Sequence, residues 1–178
     1  MGFVSILPPI KLTRDLALAV DSWAAGQTLP NVPGAISFHK TSADKWSILS
    51  YYQANASIVK GMGLVRPAAA SQGYVLTTAA TADVDSYALK GIAAADVSNT
   101  GYFSFCYKGG YCPDIMFGSA ASGTLHGLSG STAGQFSPFS SAGSTIALNT
   151  KPFFFPVTAF DTGVGNSAAS GWISPILF

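Results

Sequence analysis

From position 35 onward the chain falls into short runs in which apolar and polar residues alternate, the two-residue period of a β-strand. Ile36, Phe38 and Lys40 open one such run. Residues 46–53 (WSILSYYQ) form a second, rich in aromatic and β-branched side chains. Residues 57–66 (SIVKGMGLVR) predict strands around Gly61 and Gly63, and 74–78 (YVLTT) and 87–92 (YALKGI) predict two more. In residues 101–107 (GYFSFCY), Tyr102, Ser104 and Cys106 would share one face of a strand, and Phe103, Phe105 and Tyr107 the other. Turn residues separate these runs roughly every 8–12 positions. That spacing predicts a mainly β protein, an antiparallel β-sandwich or β-barrel, rather than alternating strands and helices.

The two ends read differently. Pro8 and Pro9 forbid helix in residues 1–12 and leave Phe3, Val4, Ile6, Leu7 and Ile10 as an extended apolar N-terminal arm, laid on its own core or reaching a neighbouring subunit. From Thr13, a possible cap, Leu16, Leu18, Ala19, Val20 and Trp23 lie in an Ala-rich stretch ending at Gly26. This predicts one short helix, although Leu16, Leu18 and Val20 also alternate as in a strand. Residues 27–34 (QTLPNVPG) read as a loop. Residues 13–178 are thus expected to form a single β-rich domain behind the arm.

Charge changes the picture in the second half. Residues 115–150 contain no Asp, Glu, Lys or Arg, and are rich in Gly, Ser, Ala and Thr. Such composition suits a flexible linker. Single hydrophobes at Leu125, Leu128, Phe136, Phe139, Ile146 and Leu148 instead predict short ordered strands packed on the core. Beyond them come Phe153 to Phe155, a predicted turn over 163–170, and a last apolar strand from Trp172. Of the charged residues only Lys151 and Asp161 lie after position 114.

Across the whole chain of 178 residues only 10% are charged, 48% are hydrophobic and the net charge is +1. An ordinary soluble domain is about a quarter charged. Aromatics at 12% and low net charge exclude a disordered chain. Nine scattered basic residues balanced by eight acidic ones give no basic stripe, so nucleic acid is not an expected partner. No apolar run approaches the roughly 20 residues of a membrane-spanning helix. The opening MGFVSILPPIKL lacks the basic start and unbroken apolar stretch of a signal peptide, so synthesis in a cytoplasm is expected and no membrane partner is.

Catalytic patterns are weak. His39, His126, Cys106 and Cys112 show no metal-ligand spacing. CYKGGYC reads as a hairpin: a three-residue turn of Lys108, Gly109 and Gly110 would set Cys106 opposite Cys112, a candidate thiol pair, whereas a two-residue Gly-Gly turn would set Tyr107 opposite Cys112 and allow no disulfide; free thiols are the expectation for a cytoplasm-made protein. GTLHGLSGS around His126 lacks the spacing of a nucleophile elbow, and that histidine reads as a surface or turn residue. Asp83 and Asp85 have no glutamate partner and read as solvated loop residues. KGMGLVRP has two glycines of a phosphate-binding fingerprint without the third. No enzyme activity, metal or cofactor is expected.

A chain so poor in charge must cover itself with small polar and apolar side chains, and such surfaces favour association. Permanent interfaces have the same bias, depleted in charge and enriched in aromatics. Residues 91–112 (GIAAADVSNTGYFSFCYKGGYC) carry Gly91-Ile92-Ala93, Asp96-Val97, Gly101-Tyr102-Phe103 and Gly109-Gly110. This stretch resembles a pattern of the head decoration, or cement, proteins of tailed bacteriophages, in which Gly/Ala/Ser-rich strands follow and a closing strand, here GWISPILF (171–178), ends the chain. The resemblance spans the C-terminal half. It implies a β-rich viral structural protein, often a homotrimer, that binds the outside of the capsid and stabilises it by clamping neighbouring copies of the major capsid protein. The apolar ends, Phe3, Ile6, Leu7, Trp172, Ile176 and Phe178, are the expected interface elements. The alternative is a carbohydrate- or receptor-binding β-sandwich, such as a tail or fibre component, with Trp23, Trp46, Tyr51 or Tyr52 as stacking platforms, although these read first as core residues.

Overall fold

The computed structural model describes residues 32–42, 45–82, 89–118, 125–128, 132–138, 157–159 and 167–173. The arm 1–12 and the helix expected over 13–26 lie outside them. The described residues are mainly β and contain no helix. Ten strands follow in order: β1 (Ile36–Ser42), β2 (Lys45–Ala54), β3 (Gly63–Val65), β4 (Val75–Thr78), β5 (Leu89–Ala93), β6 (Phe103–Phe117), β7 (Leu125–Leu128), β8 (Phe136–Pro138), β9 (Val157–Ala159) and β10 (Ser167–Ile173).

All ten belong to one hydrogen-bonded sheet that closes on itself twice. From β2 the pairings run through β4, β3 and β5 to β6, and β6 pairs back onto β2. From β6 a second circuit runs through β10, β9, β7 and β8 and returns to β6. β1 lies outside both, paired to the first half of β2. The sheet is mixed, which corrects the antiparallel expectation: β2 and β4 are parallel at Gln53↔Val75, and β6 and β8 at Phe117↔Phe136. The first exception has a local cause. After β2 the chain is held by a bridge between Ile58 and Val97, so β3 pairs with β5, and β4 returns to fill the place beside β2.

The 15-residue β6 joins the two circuits, and it corrects the hairpin expected in CYKGGYC. Lys108, Gly109 and Gly110 lie within the strand. They make a bulge, since Ile48 faces Gly109 while the next residue of β2, Leu49, faces Tyr107. Gly110 has φ +78°, and a Cβ there would stand 2.3 Å from the Trp46 carbonyl oxygen, so only glycine fits. A second irregularity comes at Pro113 and Asp114, which oppose the single residue Ser170 of β10. A proline belongs at such a place because it has no N–H for the ladder. Each bulge inverts the alternation once. Phe103, Phe105, Tyr107, Cys112, Ile115 and Phe117 therefore all enter the same core.

That core fills one side of the long strand with Leu49, Tyr51, Leu89, Ile92, Leu128, Phe136 and Ile173. A second cluster takes Tyr52 and Ala54 from β2, Leu64 from β3, Leu76 from β4, Ala93 from β5 and Cys106 from β6, one or two residues from every strand of the first circuit. It is the inside of that ring. The faces expected for 101–107 are found, but both are buried. Ordered strands over the charge-free segment are found too, since Leu128 and Phe136 are fully buried and Phe136 meets Phe117 edge-on at 6.4 Å. The turn expected over 163–170 is corrected in part: Ser167 to Ser170 are strand residues of β10, and Ser167 to Ala169 pair with β6 at Phe117 to Ile115.

Candidate functional site

Alternation along β2 sends Ser47, Leu49 and Tyr51 to the main core and Trp46, Ile48, Ser50 and Tyr52 to the other face. Register then decides what that second face becomes. Toward Tyr52 it is roofed by the first ring; toward Trp46 the ring has ended and the face is open. Lys40 of β1 lies opposite Trp46, and Phe38 opposite Ile48. Ser47 faces Gly110 of β6, so Tyr111 stands opposite Trp46, and Tyr111 pairs with Trp172 of β10. Phe38, Trp46, Tyr111 and Trp172 thus come to one face of four adjacent strands.

Phe38, Trp46 and Trp172 are uncovered, and Tyr111 between the two tryptophans is half-buried. Phe38 is 72% exposed, Trp46 54% and Trp172 45%, against values near zero for the residues of the two cores. Neighbouring strands are about 4.8 Å apart, which sets Trp46 and Trp172 about 10 Å from each other along the row. Lys45 places its Nζ 4.2 Å from the centre of the Tyr111 ring, and the Ser47 hydroxyl donates to the Tyr111 carbonyl, so the middle of the row is held from two sides.

The shelf runs into a cleft of about 330 Å³ lined by Ile36, Ser50, Tyr52, Tyr74, Leu76 and Lys108. The Tyr52 hydroxyl is buried with no hydrogen-bond partner, and so is that of Ser104. Burial, with a smaller contribution from Cys106, pushes the Tyr52 phenol far above its ordinary range; nearby Ser104 opposes this slightly without completing a hydrogen bond. The Lys90 amine is held below its usual range by burial and by Lys108 and Arg66.

Several sequence expectations resolve here. Trp172 is on the shelf, whereas Phe3, Ile6, Leu7, Ile176 and Phe178 lie outside the described residues. Tyr51 and Tyr52 are core residues, Trp46 is not, and Trp23 lies outside. Cys106 and Cys112 are free, buried, and six residues apart on one strand, about 20 Å by the rise per residue. They enter different clusters and cannot bridge. Burial pushes the Cys106 thiol up to about 12 and raises that of Cys112 as well, so neither is a nucleophile. His126 sits in strand β7, between Pro138 and Val157, rather than in a turn. The glycines of KGMG serve packing: the carbonyl of Gly61 accepts from Met116 N–H, and a Cβ on Gly63 would strike Leu128 at 2.6 Å. Asp83 and Asp85 lie outside the described residues. Among the described residues no three His, Cys or acidic side chains converge as a metal site would require.

Phe38, Tyr111 and Lys108 escaped sequence reasoning as surface residues. Phe38 and Lys40 were legible as one strand face. Tyr111 and Lys108 were hidden by reading KGG as a turn. No family model matches this chain, and no curated protein matches it.

Proposed function

We propose that this protein is a non-catalytic viral structural protein that decorates the outside of a tailed-phage capsid, made in the host cytoplasm and incorporated into the virion. In this reading its exposed aromatic shelf packs on the major capsid protein and clamps neighbouring subunits, with the decoration protein acting as a homotrimer. The observation that carries the reading is the row Phe38, Trp46, Trp172, which holds three of the five exposed large hydrophobes among the described residues, the others being the separate Val32 and Val59. The resemblance of residues 91–112 supports it, since that stretch supplies the last three residues of β5 and the first two-thirds of β6, the strand that joins the two circuits. For the architecture we propose two small β-barrels sharing β6, one for each closed circuit of pairings, preceded by the short helix and the arm.

The magnitudes suit a repetitive clamp. At about 200 Å² per aromatic side chain, the exposed fractions leave roughly 340 Å² to bury, or about 8 kcal/mol at 25 cal/mol per Å². Association costs about 4–15 kcal/mol, so one shelf alone binds weakly. Repetition over a closed shell makes the sum strong. The test is pelleting of purified protein with expanded empty heads of the phage that encodes it. Wild type should co-sediment and raise the heads' melting temperature, and W46A/W172A should do neither while unfolding at nearly the wild-type temperature. Failure of the wild type to bind, or equal binding by the variant, refutes the proposal. The exposed Trp46 also favours a second reading, a glycan-stacking platform; glycan-array binding lost in W46A alone would select it.

A further inference from the structure

β1 is an edge strand. It pairs with β2 on one side, and among the described residues no strand lies on the other. Register shows which of its backbone groups are left over. One place before the Ile36↔Ser50 pair, the Tyr51 N–H donates to the Ala35 carbonyl at 3.1 Å. Such bonded pairs alternate along an antiparallel ladder, so Ser37 and His39 also turn their groups toward β2, whereas Ile36, Phe38 and Lys40 turn theirs outward. A row of outward donors and acceptors is a template for a further strand. Its length is bounded at both ends: Gly34, at φ +84°, breaks the extended chain before Ile36, and the register shift between Lys40 and Ser42 ends the regular ladder. The free window is therefore Ile36 to Lys40, with Phe38 at its centre.

The three outward-bonding residues also share the shelf face, since they stand opposite Ser50, Ile48 and Trp46. Phe38 is 72% exposed, so an added strand covers it only by bringing an apolar side chain to the same register. Lys40 is exposed as well, so that strand must set no cation opposite it. The window meets both conditions against itself. Paired antiparallel about a two-fold axis at Phe38, each copy sets Ile36 opposite Lys40 of the other, and Phe38 opposite Phe38. All three outward residues then exchange both of their bonds, six in all. The lysine stem lies along the isoleucine, and the two Lys40 positions stay about 14 Å apart. A pairing centred on Ser37 or His39 would make four bonds, and one centred on Lys40 would set ammonium against ammonium.

We propose that a second copy of this chain docks on this edge, β1 against β1, with the two Phe38 residues facing each other on the axis. The pairing goes beyond the capsid reading and does not need it. Its effect is to continue the sheet from one copy into the next, so that two shelves become one apolar face. A contact of this kind is isologous and makes pairs rather than rings of three, so it is distinct from the contact of the proposed homotrimer and would join one trimer to its neighbour. Five residues of edge bury far less than the roughly 800 Å² per partner of a stable complex, so the pair is weak and forms with rising concentration.

The experiment uses the full chain and no capsid. Mean mass is followed by analytical ultracentrifugation up to about 1 mM chain, the range of weak association. Wild type should grow in mass with concentration. F38E and F38K should each associate at least tenfold more weakly, because like charges then meet on the axis, and an equal mixture of the two should regain association. Under mild oxidation F38C should cross-link into pairs, its Cα atoms lying about 5.5 Å apart, whereas K40C, two residues along, should not. Both native thiols are buried and stay out of this reaction. Melting curves check folding, and should the charged variants fail to fold, the two cysteine variants decide. W46A/W172A should pair as wild type does, which separates this edge from head binding. Constant mass in the wild type, undiminished association of F38K, a silent mixture, or equal cross-linking in K40C and F38C each overturns the proposal. So does protection of the Phe38 amide from hydrogen exchange that is independent of concentration, the sign that another segment of the same chain covers the edge.

Discussion

Substituting Gly110 by alanine tests the bulge on which the shelf depends. In the native strand Gly110 sits at φ +78°, and the added Cβ would approach the Trp46 carbonyl oxygen to 2.3 Å and its carbon to 3.1 Å. The left-handed conformation alone costs a residue with a Cβ about 1–2 kcal/mol. Overpacking against backbone, which cannot swing aside as a side chain does, adds about 1–3 kcal/mol. The expected loss is therefore about 2–5 kcal/mol, a large part of the 5–15 kcal/mol that holds a typical domain together. For a chain of this size that corresponds to a fall in Tm of roughly 5–20 °C. The assay is urea unfolding followed by tryptophan fluorescence, with G73A as control: a Cβ on Gly73 meets nothing within 4 Å, and its φ is not left-handed. G73A should unfold within about 0.5 kcal/mol of wild type, a typical bound for an innocuous surface change. If G110A also unfolds within that margin, the strand does not pass through Lys108, Gly109 and Gly110 as described, and the alignment of Trp46 with Tyr111 fails with it.

Other consequences are open to measurement. Neither thiol should react with a disulfide reagent in the native protein at pH 8, and both should react in denaturant; reaction of one thiol in the native state would refute their burial. The folded state raises Cys106 to about 12 and Tyr51 to about 12, so it holds protons that the unfolded chain releases from about pH 9 upward. Stability should accordingly be flat near neutrality and fall above pH 9, by up to about 1.4 kcal/mol per pH unit for each such group, and a rise there would reverse the sign of the argument. Phe136→Ala should cost about 3–5 kcal/mol in the same urea assay, because the ring is fully buried against Phe117; a loss below 1 kcal/mol would mean that the charge-free segment is a linker after all.

Most strands were legible from alternation alone. The runs at Ile36, Trp46, Tyr74 and Tyr87 became β1, β2, β4 and β5 within a few residues, because a strand half-buried in a sheet must show its two faces in its sequence. The KGG segment misled for an equally physical reason. Two glycines after a lysine satisfy the local chemistry of a hairpin turn, and equally that of a bulge. Only the Trp46 carbonyl pressed against Gly110 distinguishes them, and that contact spans more than sixty positions. The thiol pair fell with the hairpin. Trp172 was placed at an interface from its position near one end of the chain, whereas its surroundings, Tyr111 and Trp46, come from strands far away.

By itself the sequence determined that this protein is built of strands, that it owes little to charge, and that its second half carries isolated hydrophobes in a polar background. Those properties follow from local periodicity and composition, which each segment carries with it. Tertiary structure decided which aromatics stay outside. Tyr52 and Trp46 lie on the same face of the same strand, six residues apart, and nothing local separates them. One is roofed because β3, β4 and β5 close over that end of β2; the other is bare because the ring stops short of it. Exposure of a side chain is set by what crosses above it, and crossing is a property of pairings between distant segments.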